Sequence, residues 1–189
     1  MSGIAPASVR HLYDDALALL LGWHAPDENQ EQLRRSFLRA LSGDPMAVAK
    51  SGPPSHLTAS CLVLSPDGRS VLLHLHARAG IWLQFGGHLE SRDDSVHAAA
   101  TRELREESGL DDLEPQDEPI DLDRHQLVGR FGDCAEHLDV RYLAVAPAGL
   151  MPRASEESND IAWFPVDALP PNTAPDVARL ISVGQARLG

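Results

Sequence analysis

Apolar residues recur at helical spacing near the start of the chain and at strand spacing further along. A helix is predicted after a cap at Ser8, and Pro26 ends it. A second helix is predicted over residues 28 to 42, with Phe37 and Leu41 on one apolar stripe. The beginning of the chain therefore predicts a helical hairpin.

A linker signal, Lys-Ser-Gly-Pro-Pro-Ser over residues 50 to 55, separates this hairpin from the strand-rich part of the chain. Proline and glycine at this density interrupt both helices and strands. We therefore expect a helical extension over residues 1–50 and one domain over residues 51–189.

The predicted domain combines several strands with one strongly marked helix. That helix has a candidate cap at Asp93, Asp94 or Ser95, runs through Glu107, and ends where Gly109 adopts a left-handed conformation. Strands are predicted over residues 56–64, 70–76, 124–131, 137–146 and 161–165, with a turn at 66–69 and a closing helix over 176–188. Residues 81–89 are a further apolar stretch, interrupted by Gly86-Gly87. This mixture predicts an α+β fold.

Composition and charge exclude several classes of protein. The chain has 189 residues, of which 43% are hydrophobic and 23% charged, and it has no apolar run long enough to span a membrane. Its formal net charge of −12 repels phosphate backbones and anionic lipids. We expect a soluble protein that binds neither nucleic acid nor membranes.

The cysteines and the start of the chain indicate a cellular compartment. Cys61 and Cys134 form no CxxC or zinc-type spacing, and the first residues have neither the basic nor the apolar region of a signal peptide. We therefore expect a reduced, cytoplasmic protein in which both thiols pack as small apolar residues.

The acidic residues are concentrated in one segment. Between Glu90 and Glu118 there are eleven acidic residues and three arginines, a local balance of −8. Within this segment Glu103, Glu106 and Glu107 fall at i, i+3 and i+4 and so share one helix face. They repel one another there, and they lie near the negative end of the helix dipole. A divalent cation would stabilise this cluster, and carboxylate ligands suit Mg²⁺ or Mn²⁺.

The same residues carry a resemblance to a known family. Gly87 and the segment Arg102-Glu-Leu-Arg-Glu-Glu-Ser-Gly-Leu110 resemble the Nudix hydrolase signature, G-x5-E-x7-R-E-U-x-E-E-x-G-U, with U a bulky aliphatic residue. The resemblance covers roughly residues 56 to 170. It departs from the signature by one extra residue between Gly87 and Arg102 and by Phe85 where many relatives have proline.

This resemblance implies a fold and an activity. The fold is an α/β/α sandwich with a mixed sheet, and the reaction is Mg²⁺-dependent hydrolysis of a nucleoside diphosphate linked to another group, with Mn²⁺ able to substitute. Glu103, Glu106 and Glu107 would hold the metal with the Gly86 carbonyl, and Arg102 would orient the cluster by pairing with Glu90 or a helix glutamate. The implied general base is a glutamate of this helix or one from the loop before the late strand, Glu156 or Glu157, of which Glu157 is preferred.

Histidines form a second group of candidates. His74 and His76 alternate on one strand, and His88, His125 and His137 lie on neighbouring predicted strands, so a mixed histidine metal site is geometrically possible. Otherwise these histidines are substrate contacts or ordinary polar residues of a half-exposed sheet. The candidate substrate contacts are Gly87, His88, His125 and His137.

Two other functions stay open at this point. A non-catalytic, nucleotide-sensing Nudix domain would be expected to have lost box glutamates, whereas this chain keeps them. Isopentenyl diphosphate isomerase, a relative, has a cysteine in the segment before the box, and residues 82 to 88 contain none. The expected partner is a small nucleotide-type molecule, and the helical hairpin is a candidate homodimer interface or a cover for the cleft.

Overall fold

A computed structural model describes residues 9–127, 134–147, 150–153 and 158–189. The helices in these ranges are α1 (Arg10–Gly22), α2 (Glu28–Leu41), α3 (Val96–Ser108) and α4 (Val177–Leu188), with a short 3₁₀ helix at Pro45–Val48. The strands are β1 (Ser55–Leu64), β2 (Ser70–His76), β3 (Trp82–Leu83), β4 (Phe85–His88), β5 (Asp121–Gln126), β6 (Glu136–Val145) and β7 (Ser158–Pro165). The order of helices and strands is the one that the sequence predicts.

The strands form one mixed sheet. Its strand order is β3-β2-β1-β6-β5, with β4 paired to β1 and β7 paired antiparallel to β2. Ser55 donates a hydrogen bond to Glu136, and Thr58 donates one to Asp139. The residue numbers of the bonded pairs increase in the same direction along β1 and β6, as expected of parallel neighbouring strands. The connection between β1 and β2 is an antiparallel hairpin, with Leu64 opposite Val71.

The two N-terminal helices form as the sequence predicts. The Asp27 side chain caps α2 by accepting a hydrogen bond from the Gln30 amide at 2.8 Å. Helix α1 begins after Val9 without a side-chain cap, and the expected cap Ser8 lies outside the described residues. The buried Gln30 side chain donates to the Leu122 carbonyl at 3.0 Å and accepts from its amide at 2.8 Å. This pair attaches α2 to β5.

The chain divides into two compact units. The first unit comprises residues 1–59, 87–99 and 122–140, and the second comprises residues 60–86, 100–121 and 141–189. In the second unit α4 packs on strand residues through an apolar core of Leu62, Leu64, Val71, Leu73, Ile120, Leu143, Val177, Leu180 and Ile181. Burial of these side chains is the main contribution to the stability of that unit.

Charged side chains also attach α4 within the second unit. Arg141 is 1% exposed and pairs with Asp176 at the start of α4 at 2.5 Å. Arg179 from α4 makes two hydrogen bonds, at 2.8 and 2.6 Å, to the buried carboxylate of Asp121. Paired and hydrogen-bonded charges of this kind tolerate burial, which unpaired charges do not.

One detail of the predicted strands is wrong. The interrupted apolar stretch from residue 81 to 89 forms two short strands, β3 and β4. Strand β5 lies at Asp121–Gln126, earlier than the expected 124–131, and residues 128–133 lie outside the described part. Among the described residues, no helix has both the length and the apolar composition that crossing a membrane requires.

Candidate active site

Helix α3 carries the acidic cluster, and hydrogen bonds fix where it begins. The Asp15 carboxylate of α1 accepts from the Val96 amide at 2.7 Å, and Ser95 Oγ accepts from the Ala98 amide at 3.0 Å. Of the three expected cap residues, Ser95 therefore has its side chain in a capping position. Both a residue next to α3 and a residue of α1 therefore cap the first turn of α3.

The helix ends where the sequence predicts, at Gly109. This residue has φ 65°, and its amide donates to the Arg105 carbonyl at 2.9 Å. A Cβ atom built on Gly109 would lie 3.2 Å from Arg153. Glycine is therefore favoured here both by the backbone conformation and by the close neighbour.

The three glutamates of α3 share one helix face but differ in exposure. The side chains of Glu103, Glu106 and Glu107 are 13%, 49% and 3% exposed. Arg102 donates hydrogen bonds to Glu103 at 2.9 Å and to Glu106 at 3.1 Å. One guanidinium thus joins two of the carboxylates that would otherwise repel each other.

Glu107 is the glutamate that the surrounding chain holds most closely. Its carboxylate accepts a hydrogen bond from the Gly86 amide at 2.8 Å, and its other oxygen lies 3.7 Å from His74 Nδ1. Burial lowers the pKa of His74 to about 4, with the neighbouring His76 contributing. His74 is therefore neutral at pH 7 and does not supply a balancing positive charge to Glu107.

The candidate histidines fall in both compact units. His74 and His76 belong to the second unit, with ring centroids 5.9 Å apart. His88, His125 and His137 belong to the first unit, where the His88 and His137 rings are 5.0 Å apart and the His125 and His137 rings are 5.5 Å apart. The five histidines therefore do not form one group within either unit.

Sequence reasoning missed two members of the group in the first unit. His56 has its ring centroid 5.1 Å from that of His88 and 5.4 Å from that of His137. Cys134 Sγ lies 3.8 Å from His88 Nε2. The expectation that both thiols pack as apolar residues is correct for the buried Cys61 and wrong for the half-buried Cys134, whose neighbour is a polar ring.

A signal for His56 is present in the sequence. Residues 55–58 read Ser-His-Leu-Thr and residues 136–139 read Glu-His-Leu-Asp. Because these segments begin the neighbouring parallel strands β1 and β6, their histidines occupy equivalent positions. Recognising that pairing would have brought His56 and His137 together.

Burial changes the acid–base behaviour of this group. It lowers the pKa of His88 to about 3 and the pKa of His137 to about 4, with neighbouring histidines and Lys50 contributing to both shifts. Both imidazoles are therefore neutral at pH 7, the form that donates a lone pair.

The other expected site residues are Glu90, Glu156, Glu157 and Gly87. Glu90 pairs with Arg92 at 2.7 Å, and the side chain of Glu90 is about half exposed. Glu156 and Glu157, the candidate bases of the late loop, lie outside the described residues. Gly87 follows Gly86 in β4 and is half-buried.

Comparison with known proteins identifies the family. The NUDIX domain model matches residues 54–183. No curated protein sequence matches the chain. The chain belongs to the Nudix family and is an enzyme of the Nudix pyrophosphohydrolase class.

Solved structures resemble this fold. A MutT Nudix hydrolase from Burkholderia pseudomallei is 25% identical, with a TM-score of 0.54, and the match covers 69% of this chain and 97% of that one. The Nudix domain of Shewanella oneidensis NrtR, complexed with ADP ribose, is 19% identical with a TM-score of 0.57 over 80% and 97% of the two chains. An Ap4A hydrolase from C. elegans is 18% identical with a TM-score of 0.56 over 70% and 96%. The expected Nudix-type sandwich with a mixed sheet and an N-terminal helical hairpin is confirmed.

Proposed function

We propose that this enzyme hydrolyses a phosphoanhydride bond in a nucleoside diphosphate linked to another moiety, with Mg²⁺ as the metal and Mn²⁺ able to replace it. The observation that carries the proposal is the carboxylate cluster of Glu103, Glu106 and Glu107 on one face of α3. Its buried member is fixed by the Gly86 amide, and Arg102 bridges the other two.

The chemistry of the donor set fits a divalent metal, which Nudix enzymes generally use. Three carboxylates on one helix face supply only oxygen donors, and hard ions such as Mg²⁺ prefer oxygen. The Gly86 carbonyl is the fourth proposed donor, since glycine has no Cβ to prevent close approach. The metal would neutralise charge on the phosphates and assist the attack of water.

The residues around the metal donors have separate proposed roles. Arg102 holds Glu103 and Glu106 in position through its hydrogen bonds, so it is a positioning residue. The Gly86 amide does the same for Glu107. A carboxylate must also accept the proton of the attacking water, and we propose Glu157, with the half-exposed Glu106 as the alternative within α3.

The substrate class is supported by the neighbours and by charge. Structures of similar fold include an Ap4A hydrolase and a domain complexed with ADP ribose, both of which concern nucleotide derivatives. A diphosphate could approach this acidic segment only with a cation between them. We keep Gly87, His88, His125 and His137 as proposed substrate contacts.

A substrate screen tests the proposal. Purified enzyme is incubated with ADP ribose, dinucleoside polyphosphates and nucleotide sugars in Mg²⁺ or Mn²⁺, and the products are identified by mass spectrometry. We expect a nucleoside monophosphate and the phosphorylated second moiety from at least one substrate, and no product after the metal is chelated. Binding without turnover of every compound would instead indicate the nucleotide-sensing function.

The variant Glu103→Gln separates this activity from a contaminating hydrolase. It removes one charge from the cluster and keeps the shape of the side chain. Glu114→Gln is the matched control, because Glu114 is exposed and pairs with Arg105 outside the cluster. Equal turnover by the two variants would contradict the assignment of the site to α3.

A further inference from the structure

Four side chains of the first unit converge, and none of them belongs to the carboxylate cluster of α3. They are His56, His88, Cys134 and His137, and one ligand atom from each lies within 4.8 Å of all the others. We propose that these four residues bind one Zn²⁺ ion in a tetrahedral site of their own. The ion would be additional to the metal held by the glutamates of α3.

The hydrogen bonding of His56 supports a metal ligand at this position. Its Nδ1 lies 2.8 Å from the Pro53 carbonyl, and a carbonyl only accepts, so Nδ1 carries the proton. The lone pair is therefore on Nε2, which is buried and has no hydrogen-bond partner among the described residues. The residue as a whole is only 1% exposed. A carbonyl holding the other ring nitrogen is the usual outer partner of a histidine that binds a metal.

His137 gives a second, independent observation. Its Nε2 is also buried without a hydrogen-bond partner among the described residues. Buried polar atoms are rarely left unpaired in native proteins. If the four side chains simply packed together, both Nε2 atoms would stay unpaired, whereas a bound cation would satisfy both.

The distances in the cluster suit a metal with mixed nitrogen and sulfur ligands. Tetrahedral Zn²⁺ places a thiolate sulfur and an imidazole nitrogen about 3.6 Å apart, given the usual metal–ligand lengths. The distance from Cys134 Sγ to His88 Nε2 is 3.8 Å. The His56, His88 and His137 rings are mutually 5.0 to 5.4 Å apart at their centroids. The cluster therefore needs only small movements to enclose an ion.

The donor atoms determine which metal is expected. Imidazole and thiolate select Zn²⁺ and similar ions over Mg²⁺, which prefers oxygen. Four protein ligands leave no open position for water, so the site would be structural rather than catalytic. The bound ion would link the start of β1 with the end of β4 and with the segment that leads into β6. His88 and His137 would then be unavailable as substrate contacts, and this inference replaces that role for both.

Metal binding to the full-length chain tests the proposal. The chain is stripped with a chelator and titrated with Zn²⁺ in competition with a colorimetric chelator, without substrate. We expect one tight equivalent per chain in the wild type. In Cys134→Ser and His137→Asn we expect the affinity to fall about 100-fold or more, since loss of even an outer partner costs 10- to 100-fold. His24→Asn, at an exposed histidine, is the control that keeps tight binding.

Two further measurements keep the test decisive. Glu107→Gln should bind one Zn²⁺ as tightly as the wild type. The Zn²⁺ test can therefore succeed or fail independently of the proposed hydrolysis. Co²⁺ added to the wild type should give tetrahedral d–d bands and a thiolate-to-cobalt charge-transfer band, even if a ligand variant fails to fold. Equal affinity in wild type, Cys134→Ser and His137→Asn would overturn the proposal, as would a cobalt spectrum without the thiolate band.

Discussion

The carboxylate cluster of α3 and the histidine–cysteine cluster of the first unit are both proposed cation sites, but they differ in the type of donor atom. The first consists of charged oxygens, and like charges at i, i+3 and i+4 repel even without the fold. The second contains the imidazoles of His88 and His137, whose pKa values burial lowers, and two of its buried ring nitrogens have no partner among the described residues. An ion is therefore indicated by excess charge in one region and by missing hydrogen bonds in the other.

The two regions also differ in how the chain assembles them. Glu103, Glu106 and Glu107 lie within five residues of one helix, so any chain that forms α3 brings them together. His56, His88 and Cys134 come from three separate segments and meet only after the strands have paired. Local structure is enough to form the first cluster, while the second depends on long-range folding.

The largest expected effect is the loss of hydrolysis in Glu107→Gln. The amide oxygen can still accept the Gly86 hydrogen bond, but the charge that a divalent metal requires is gone. We expect kcat/KM on the substrate found by the screen to fall about a thousandfold, which is about 4 kcal/mol of transition-state stabilisation.

Its control sharpens the comparison between the clusters. Cys134→Ser should keep the wild-type response of the hydrolysis rate to Mg²⁺ concentration. A thousandfold loss in Cys134→Ser but not in Glu107→Gln would place the catalytic metal in the histidine–cysteine cluster and would contradict our assignment to α3.

The next effect is stabilisation by Zn²⁺. At a free concentration of 100 Kd, an ion that binds only the native state raises the free energy of unfolding by about 2.7 kcal/mol. We expect Tm, measured by differential scanning fluorimetry, to rise in the wild type and in Glu107→Gln but to stay constant in Cys134→Ser. An equal rise in all three proteins would mean that Zn²⁺ acts elsewhere.

A smaller effect is expected in the reactivity of the two thiols, Cys61 and Cys134. Burial raises the pKa of the Cys61 thiol, whereas Cys134 is half-buried. In the metal-free protein we expect iodoacetamide to modify Cys134 and leave Cys61 unmodified, as mapped by peptide mass spectrometry. Zn²⁺ should slow modification of Cys134 about tenfold or more, because a coordinated sulfur is less accessible. Modification of Cys134 at the same rate with and without Zn²⁺ would argue against its ligation.

The smallest expected effect is at the start of α3. Asp15→Ala removes the carboxylate that accepts from the Val96 amide, and loss of a helix cap costs about 1 kcal/mol. Denaturant unfolding measures this change. Asp14→Ala is the control, since Asp14 makes an exposed ion pair with Arg10. If both variants lose the same stability, the Asp15 cap contributes nothing particular to α3.

Much of the fold could be predicted from the sequence because its signals are local. The turn at Pro66–Arg69 and the end of α3 at Gly109 are each determined by residues within a few positions. The helical hairpin and the mixed α+β fold are confirmed. The face shared by the α3 glutamates also follows from helical spacing alone.

The remaining features depend on contacts between distant residues. Asp15 caps a helix 81 positions later, and Gln30 bonds to a strand 92 positions later, neither of which local spacing indicates. The position of Cys134 beside His88 likewise required strand order and register. The catalytic roles of the site residues, the identity of the metal, the homodimer and the cytoplasmic location stay predictions.

The paired hydrogen bonds between Gln30 and Leu122 have a consequence for self-association. Strand β5 ends the strand order of the sheet, and an end strand exposes backbone groups to which another chain can add. The Gln30 amide occupies both the N–H and the carbonyl of Leu122, as a neighbouring strand would. One side chain of α2 thus occupies, at Leu122, the backbone groups with which another chain would pair at this edge.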